Sequence, residues 1–263
     1  MLDRLNWLWR LFATALSFVC FGVGGVLLWV LVFPVLSLLV RDRQRLSVLA
    51  RTIIHQAFRA FIELMRVLGI LTYEVHGLDK LDRHGLLILA NHPSLIDVVF
   101  LISFTRHADC VVKAALVRNP FTRGAVLAAG FICNDTGPGM VEDSIASLRA
   151  GNNLIIFPEG TRTPINGDAA KLQRGAANVA VRGGINVTPV LIQCQPIMLP
   201  KGVPWWQIPH RRPHFRIEVC DDLPVAVPAH TGTSEAQAAR RLTQQLTDYF
   251  AMETRREHRH ASA

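Results

Sequence analysis

From Leu11 to Val40 the sequence has no Asp, Glu, Lys, Arg or His. That absence rules out a solvated surface role for the stretch and asks for apolar surroundings. No small-residue cleavage site stands ahead of a polar mature start, and the stretch is too long for a signal-peptide core, so a secretory leader does not fit. Cysteine is scarce. Cys20, Cys110, Cys133, Cys194 and Cys220 are odd in number, and no two have the spacing of a zinc or redox pair. The preferred reading is buried free thiols in a reducing compartment. The chain also has no long run of like charge, no internal repeat and no extended linker. Without a basic arm, a nucleic-acid motif or an aromatic-basic strand face, nucleic acid is not an expected partner.

What is present is hydrophobicity and dispersed positive charge. Half of the 263 residues are hydrophobic and the net charge is +8; mean hydropathy is +0.27 and the pI about 9.8. This length suits one good-sized domain plus an attachment element. The basic balance favours an anionic partner such as lipid headgroups or a phosphorylated substrate. A spanning helix needs roughly 20 apolar residues, which residues 11–40 exceed. Trp7, Trp9 and Trp29 suit an interfacial belt, while Gly22, Gly24, Gly25 and Pro34 break the uniformity. One tilted helix is the simple reading, and a re-entrant hairpin the alternative. Arg4 and Arg10 precede the stretch; Arg41, Arg43, Arg45 and Arg51 follow it. The excess on the C-terminal side predicts that the rest of the chain lies on the cytoplasmic side of the cytoplasmic membrane. A second helix is predicted over residues 46–69. Arg51, His55, Arg59 and Glu63 recur every four residues, with Arg66 three further on, so the helix is amphipathic with a basic face. It would lie on an anionic bilayer or pack as a surface helix of the domain.

From Leu71 short apolar runs alternate with helical stretches. Strands are predicted at 71–76, 86–90, 109–113, 130–134, 153–157, 187–193 and 214–219. Helices are predicted at 94–105, 119–129, 140–150, 173–182 and 234–252. Leu86–Leu89 and Leu154–Phe157 are apolar on both faces, which fits an α/β fold with a mostly parallel central sheet flanked by helices. His214–Val219 alternates, as an edge or one-sided strand would. The expected plan is a membrane segment over 1–45, a membrane-docking helix over 46–70, a globular domain over 71–252 and a fraying polar tail over 253–263.

Two motifs carry chemistry. Asn91-His92-Pro93-Ser94-Leu95-Ile96-Asp97 follows an apolar strand and opens a helix. His92 therefore stands at a strand's C-terminal end, where open α/β sheets place their sites. If the turn folds back, the Asp97 carboxylate fixes the imidazole tautomer and leaves the other nitrogen as a general base; a helix-capping His92 with a solvated Asp97 is the plain alternative. Phe157-Pro158-Glu159-Gly160-Thr161-Arg162 ends another strand. Gly160 permits close backbone approach, and Arg162 carries a fork suited to phosphate or carboxylate. An ordinary polar turn with an exposed ion pair is the alternative here.

Together these motifs resemble the lysophosphatidic acid acyltransferase (1-acylglycerol-3-phosphate O-acyltransferase) family, the H-x4-D glycerolipid acyltransferases. Asn91–Asp97 is similar to its first block and Phe157–Arg162 to its third. Val187-Thr188-Pro189-Val190 resembles the fourth, and Val111–Leu116 the segment that carries a lysine, here Lys113. The resemblance covers about residues 71–220. It implies that His92, oriented by Asp97, deprotonates a lysolipid hydroxyl, which attacks an acyl thioester of CoA or acyl carrier protein. It implies that Glu159, Gly160 and Thr161 help hold the acceptor, with no metal, no cofactor and no acyl-enzyme. Membrane lipids, the lysolipid, the acyl donor and an acyl carrier protein are the partners it implies. The chain departs at the second block, Gly130-Phe131-Ile132-Cys133-Asn134-Asp135-Thr136-Gly137, where the family's phosphate-binding arginine is missing. Lys113, Arg123, Arg162 or Arg174 would have to supply that charge, or the acceptor is not a simple lysophosphatidic acid; a branch linked to bacterial polyene-pigment gene sets looks similar here.

The loop Lys201-Gly202-Val203-Pro204-Trp205-Trp206, running on to His210-Arg211-Arg212, has no acidic residue. Adjacent tryptophans beside cations suit a headgroup region; covering the sheet edge is the competing role.

Overall fold

A computed structural model describes residues 2–134, 138–164, 171–226 and 233–260. Helix α1 (Leu2–Leu27) continues through a π-helical turn at Leu28–Val32 into α2 (Phe33–Leu39). The apolar stretch is thus a single helix and contains no hairpin. Its Asp3–Leu39 portion is the one span among the described residues long and apolar enough to cross a membrane. At about 1.5 Å per residue it reaches roughly 55 Å, more than a hydrocarbon core of about 30 Å.

The chain reverses at 40–42, where the Asp42 side chain accepts from the amides of Gln44 and Arg45 and caps α3 (Arg43–Val67). This helix is the predicted amphipathic one, but its basic face is not a free face. Arg51 is buried, donating to the Ala129 carbonyl and, at 2.9 Å, to Asp109. The His55 Nδ1 lies 2.8 Å from the Ile102 carbonyl. A helix in which Arg51 and Ile54 are both buried turns its polar stripe inward over its first half.

The strands are β1 (Thr72–His76), β2 (Leu87–Ala90), β3 (Ala108–Val112), β4 (Ile132–Cys133), β5 (Asn153–Ile156), β6 (Val187–Gln195) and β7 (His214–Val219). They form one sheet in the order β1-β7-β6-β2-β5-β3-β4. Every pairing is parallel except β6 with β7. The predicted α/β fold with a mostly parallel sheet is present. β7 is one-sided as its alternation implies, but it lies between β1 and β6 and is no edge strand.

Between the strands run α4 (Asp97–Phe104), α5 (Ala114–Arg118), α6 (Pro120–Ala129), α7 (Pro138–Arg149) and α8 (Arg174–Gly183), and α9 (Glu235–His260) follows β7. The last continues into the predicted tail as far as His260. β2 explains the layering: Ile88 and Ala90 face a core shared with α3, α4 and α6, while Leu87 and Leu89 face one shared with α7, α8 and α9. A strand buried on both faces must be apolar throughout.

Helix α6 also packs on α1 and the π turn. The crossing is tight. A Cβ on Gly25 would lie 2.1 Å from the Phe121 carbonyl oxygen, and one on Gly124 would lie 2.3 Å from the Trp29 Cβ. Glycine is required at both positions because backbone meets backbone or ring root.

Candidate functional site

β2 pairs in parallel with β5 on one side and β6 on the other, with Leu89 opposite both Ile156 and Pro189. The turns that leave β2 and β5 at their C-terminal ends are therefore neighbours by construction. The first begins with Asn91, whose amide donates to the Ile192 carbonyl and whose Oδ1 accepts from the Ile192 N–H. This reciprocal pair anchors the turn to β6.

The turn then folds back. The His92 Nδ1 and Asp97 Oδ2 are 2.9 Å apart, and the Ser94 N–H donates to the same oxygen at 2.6 Å. Asp97 is 0% exposed and begins α4. Burial pushes its carboxyl up to about 6, opposed by the His92 hydrogen bond and charge, the Ser94 amide and the Arg162 charge. Its Oδ1 and the Ser94 hydroxyl are buried without a partner among the described residues. The bond at Nδ1 leaves Nε2 as the nitrogen available for proton transfer. The imidazole stacks on Phe157 with ring centroids 4.3 Å apart, which fixes its plane.

The β5 turn closes around the same backbone. Glu159 Oε1 accepts from the His92 N–H at 3.0 Å and from the Thr163 hydroxyl at 2.8 Å. The Thr163 Oγ1 accepts from the His92 N–H at 3.3 Å, and the Thr163 N–H donates to the His92 carbonyl at 2.7 Å. Burial raises the Glu159 carboxyl, with Thr163 and the His92 amide opposing. Its second oxygen is buried with no partner among the described residues. Gly160 has φ +64°, a left-handed conformation that needs glycine where the chain bends so sharply.

Of the predicted site residues, the structure brings His92, Asp97, Glu159, Gly160, Thr161 and Arg162 together. Arg162 is not poised as a free fork: its Nη1 donates to the carbonyls of Leu199 and Pro200, each at 2.8 Å. Lys113 is exposed at the end of β3, next to Asn134, whose N–H bonds the Val112 carbonyl. Arg174 is exposed at the start of α8, behind Gln173, whose N–H bonds the Pro158 carbonyl. Both stand at the same end of the sheet. Arg123 does not join them. It lies over the Trp29 ring, 5.8 Å from its centroid, toward the N-terminal helix. The second block holds no cation over Gly130–Asn134; Asp135, Thr136 and Gly137 lie outside the described residues.

Thr163 and the ring contact of Phe157 belong to the site without standing out in the motifs. The signal for Thr163 was a second hydroxyl one residue past the motif, legible only once the two turns are known to adjoin. Among the described residues no group of three or more His, Cys, Asp or Glu is arranged to hold a metal ion. All five cysteines are free thiols, and burial pushes the Cys194 thiol up to about 12.

Residues 72–193 match the Acyltransferase family model. The chain is 32% identical over 146 residues to a 1-acyl-sn-glycerol-3-phosphate acyltransferase of Pseudomonas aeruginosa, covering 53% of this chain and 56% of that protein. It is 31% identical over 134 residues to a lyso-ornithine lipid O-acyltransferase of the same organism, covering 49% and 51%. The chain spans about half the length of these curated relatives. Its fold is similar to the crystal structure of the 1-acyl-sn-glycerophosphate acyltransferase of Thermotoga maritima. The TM-score is 0.67 at 20% identity, over 96% of this chain and 98% of that one.

Proposed function

We propose, from the match of residues 72–193 to the Acyltransferase family model, that this chain is an acyltransferase that transfers a fatty acyl group from a thioester to the hydroxyl of a lysolipid. The observation that carries the reading is the fully buried Asp97 bonded to the His92 Nδ1. A carboxylate there holds the tautomer in which Nε2 is the base. His92 takes the acceptor proton as the oxygen attacks the thioester carbon. The tetrahedral intermediate collapses with loss of the thiolate, to which His92 returns the proton. Beside this base Glu159 keeps an oxygen with no partner among the described residues, suited to accept from a second acceptor hydroxyl. CoA and acyl carrier protein are the donor classes that fit; neither is a bound cofactor.

The chain works on a membrane through Asp3–Leu39, with the domain on the cytoplasmic side. Of the six flanking arginines, Arg10 and Arg51 are buried in bonds to the protein. The positive-inside count applies to a helix with its ends on opposite sides of a bilayer. This helix packs on the domain near both ends, Arg10 against Pro209 and Trp29 against Gly124, so the cytoplasmic placement does not rest on that count. The plan of membrane segment, docking helix and domain is retained in this reading.

A second acceptor class is favoured by one observation, the absence of a cation over Gly130–Asn134. A lysolipid without a phosphate monoester fits that surface, and one relative is named for such an acceptor. A non-catalytic lipid-binding protein of the same fold would leave the His92–Asp97 geometry without use. The deciding experiment gives purified protein both donor types and a panel of lysolipids, with products identified by mass. His92→Ala should lower acyl transfer by about 10²- to 10⁴-fold while membrane association persists. Undiminished transfer in that variant would sink the mechanism, and equal or better turnover of lysophosphatidic acid across the panel would refute the second acceptor class.

A further inference from the structure

Residues 196–213 cross from the end of β6 to the start of β7 as a strap held at both ends. At the far end Arg10, 3% exposed, donates to the carbonyls of Pro209 at 3.0 Å, Arg211 at 3.1 Å and His210. Trp205 packs on Phe18 with ring centroids 5.7 Å apart, so the middle also rests on the N-terminal helix. The near end is held by the site itself. Leu199 has φ +51° and is buried, a left-handed conformation that a branched side chain rarely adopts and that persists only where its surroundings enforce it. The enforcing contacts come from the two catalytic turns: the Leu95 N–H reaches the Leu199 carbonyl at 3.3 Å, and Arg162 Nη1 spans the Leu199 and Pro200 carbonyls. Leu95 lies between His92 and Asp97 in sequence.

We infer that Arg162 is a positioning residue: it ties the Phe157–Arg162 turn and the His92–Asp97 turn to the strap, and does not serve as the ligand of the acceptor headgroup. This rests on the proposed acyl transfer. Its Nη2 and Nε make no hydrogen bond among the described residues, so a headgroup role for that side of the fork is the competing use. The two differ in what they do to kinetics. A headgroup ligand acts on ground-state binding of a charged acceptor. A tie acts on the placement of His92 and Asp97, whatever the headgroup.

The test uses the full chain in detergent and in bilayers. Arg162→Gln is assayed for kcat and KM on acceptors with and without a phosphate, while hydrogen exchange is followed by peptide across 196–203. The tie predicts a fall in kcat of about 10²-fold for each acceptor turned over, an unmoved acceptor KM and faster exchange across 196–203. A raised KM confined to phosphorylated acceptors, with kcat and exchange unchanged, overturns it. If wild-type protein acylates none of the panel, the acyl-transfer reading fails by itself, and exchange alone decides the tie. Should the variant not fold, phenylglyoxal labelling of wild-type Arg162 gives the answer. Labelling that is equal with and without saturating lysophosphatidic acid or lyso-ornithine lipid supports the tie, and acceptor-dependent protection overturns it.

Discussion

Asp97 is charged at a cost. Its carboxyl is raised by burial to about 6, so the fold disfavours its ionised form. The sign follows from linkage: a raised carboxyl contributes stability that is complete below its unfolded pKa and lost as pH rises through the folded value. Asp97→Asn should therefore melt at an equal or higher temperature than wild type at pH 8, with that advantage shrinking as pH falls from 6 to 4. The same variant should lose about 10²- to 10⁴-fold in acyl transfer, since the imidazole loses the charge that fixes its tautomer. Thermal unfolding across pH and initial rates measure the two halves. In wild type, kcat/KM should fall on the acid side with a midpoint near pH 6, as the carboxylate that orients His92 is protonated. A variant with lower stability at pH 8 and full activity would contradict both halves.

Between elements, a buried ion pair joins Arg51 on α3 to Asp109 on β3, 2.9 Å apart. Ser147 on α7 donates to the same Asp109 oxygen at 2.6 Å. Asp109→Ala would leave the guanidinium buried and unpaired, so unfolding should be easier by about 3–5 kcal/mol. Adding Arg51→Met should recover most of that loss, and chemical denaturation of both variants would show it. The α1–α6 crossing makes a second prediction. Gly124→Leu should push α6 off Trp29 and destabilise the chain by at least about 1–3 kcal/mol, seen as faster proteolysis within 120–134. Neither tie was legible in the sequence. The four-residue spacing of Arg51, His55, Arg59 and Glu63 reads equally as a wet stripe or as an inward one, and only the partner at Asp109, 58 positions away, decides. The seven strands and the turns at Asn91–Asp97 and Phe157–Arg162 were legible because each is short, local and punctuated. The lateral position of β7 was not, because alternation reports which face is buried and says nothing about which strands lie on either side.

For the whole molecule, the exposed side of α1 and α2 is a row of large apolar side chains, among them Leu5, Phe12, Val19, Val23 and Leu38. Trp206 and part of Trp205 lie exposed on the strap. The packing of these tryptophans is against the N-terminal helix and not over a sheet edge: Trp205 lies on Phe18, and Trp206 on Trp205. Changing both to Ala should lower activity on bilayers more than on detergent-dispersed substrate, and equal losses would assign them to packing alone. The pairing of β1 with β7, and of Arg10 with carbonyls some 200 positions later, also sets an order of events during synthesis. The N-terminal helix gains α3 as a partner almost at once, through Phe21 on Phe58 and Phe61, but emerges from the ribosome well before α6 and the strap. Strand β1 must likewise wait for His214–Val219 before it has a neighbour. If the helix attaches to a bilayer as proposed, the bilayer shelters the apolar row over that interval, and a chain released before about residue 220 has no means of completing its sheet.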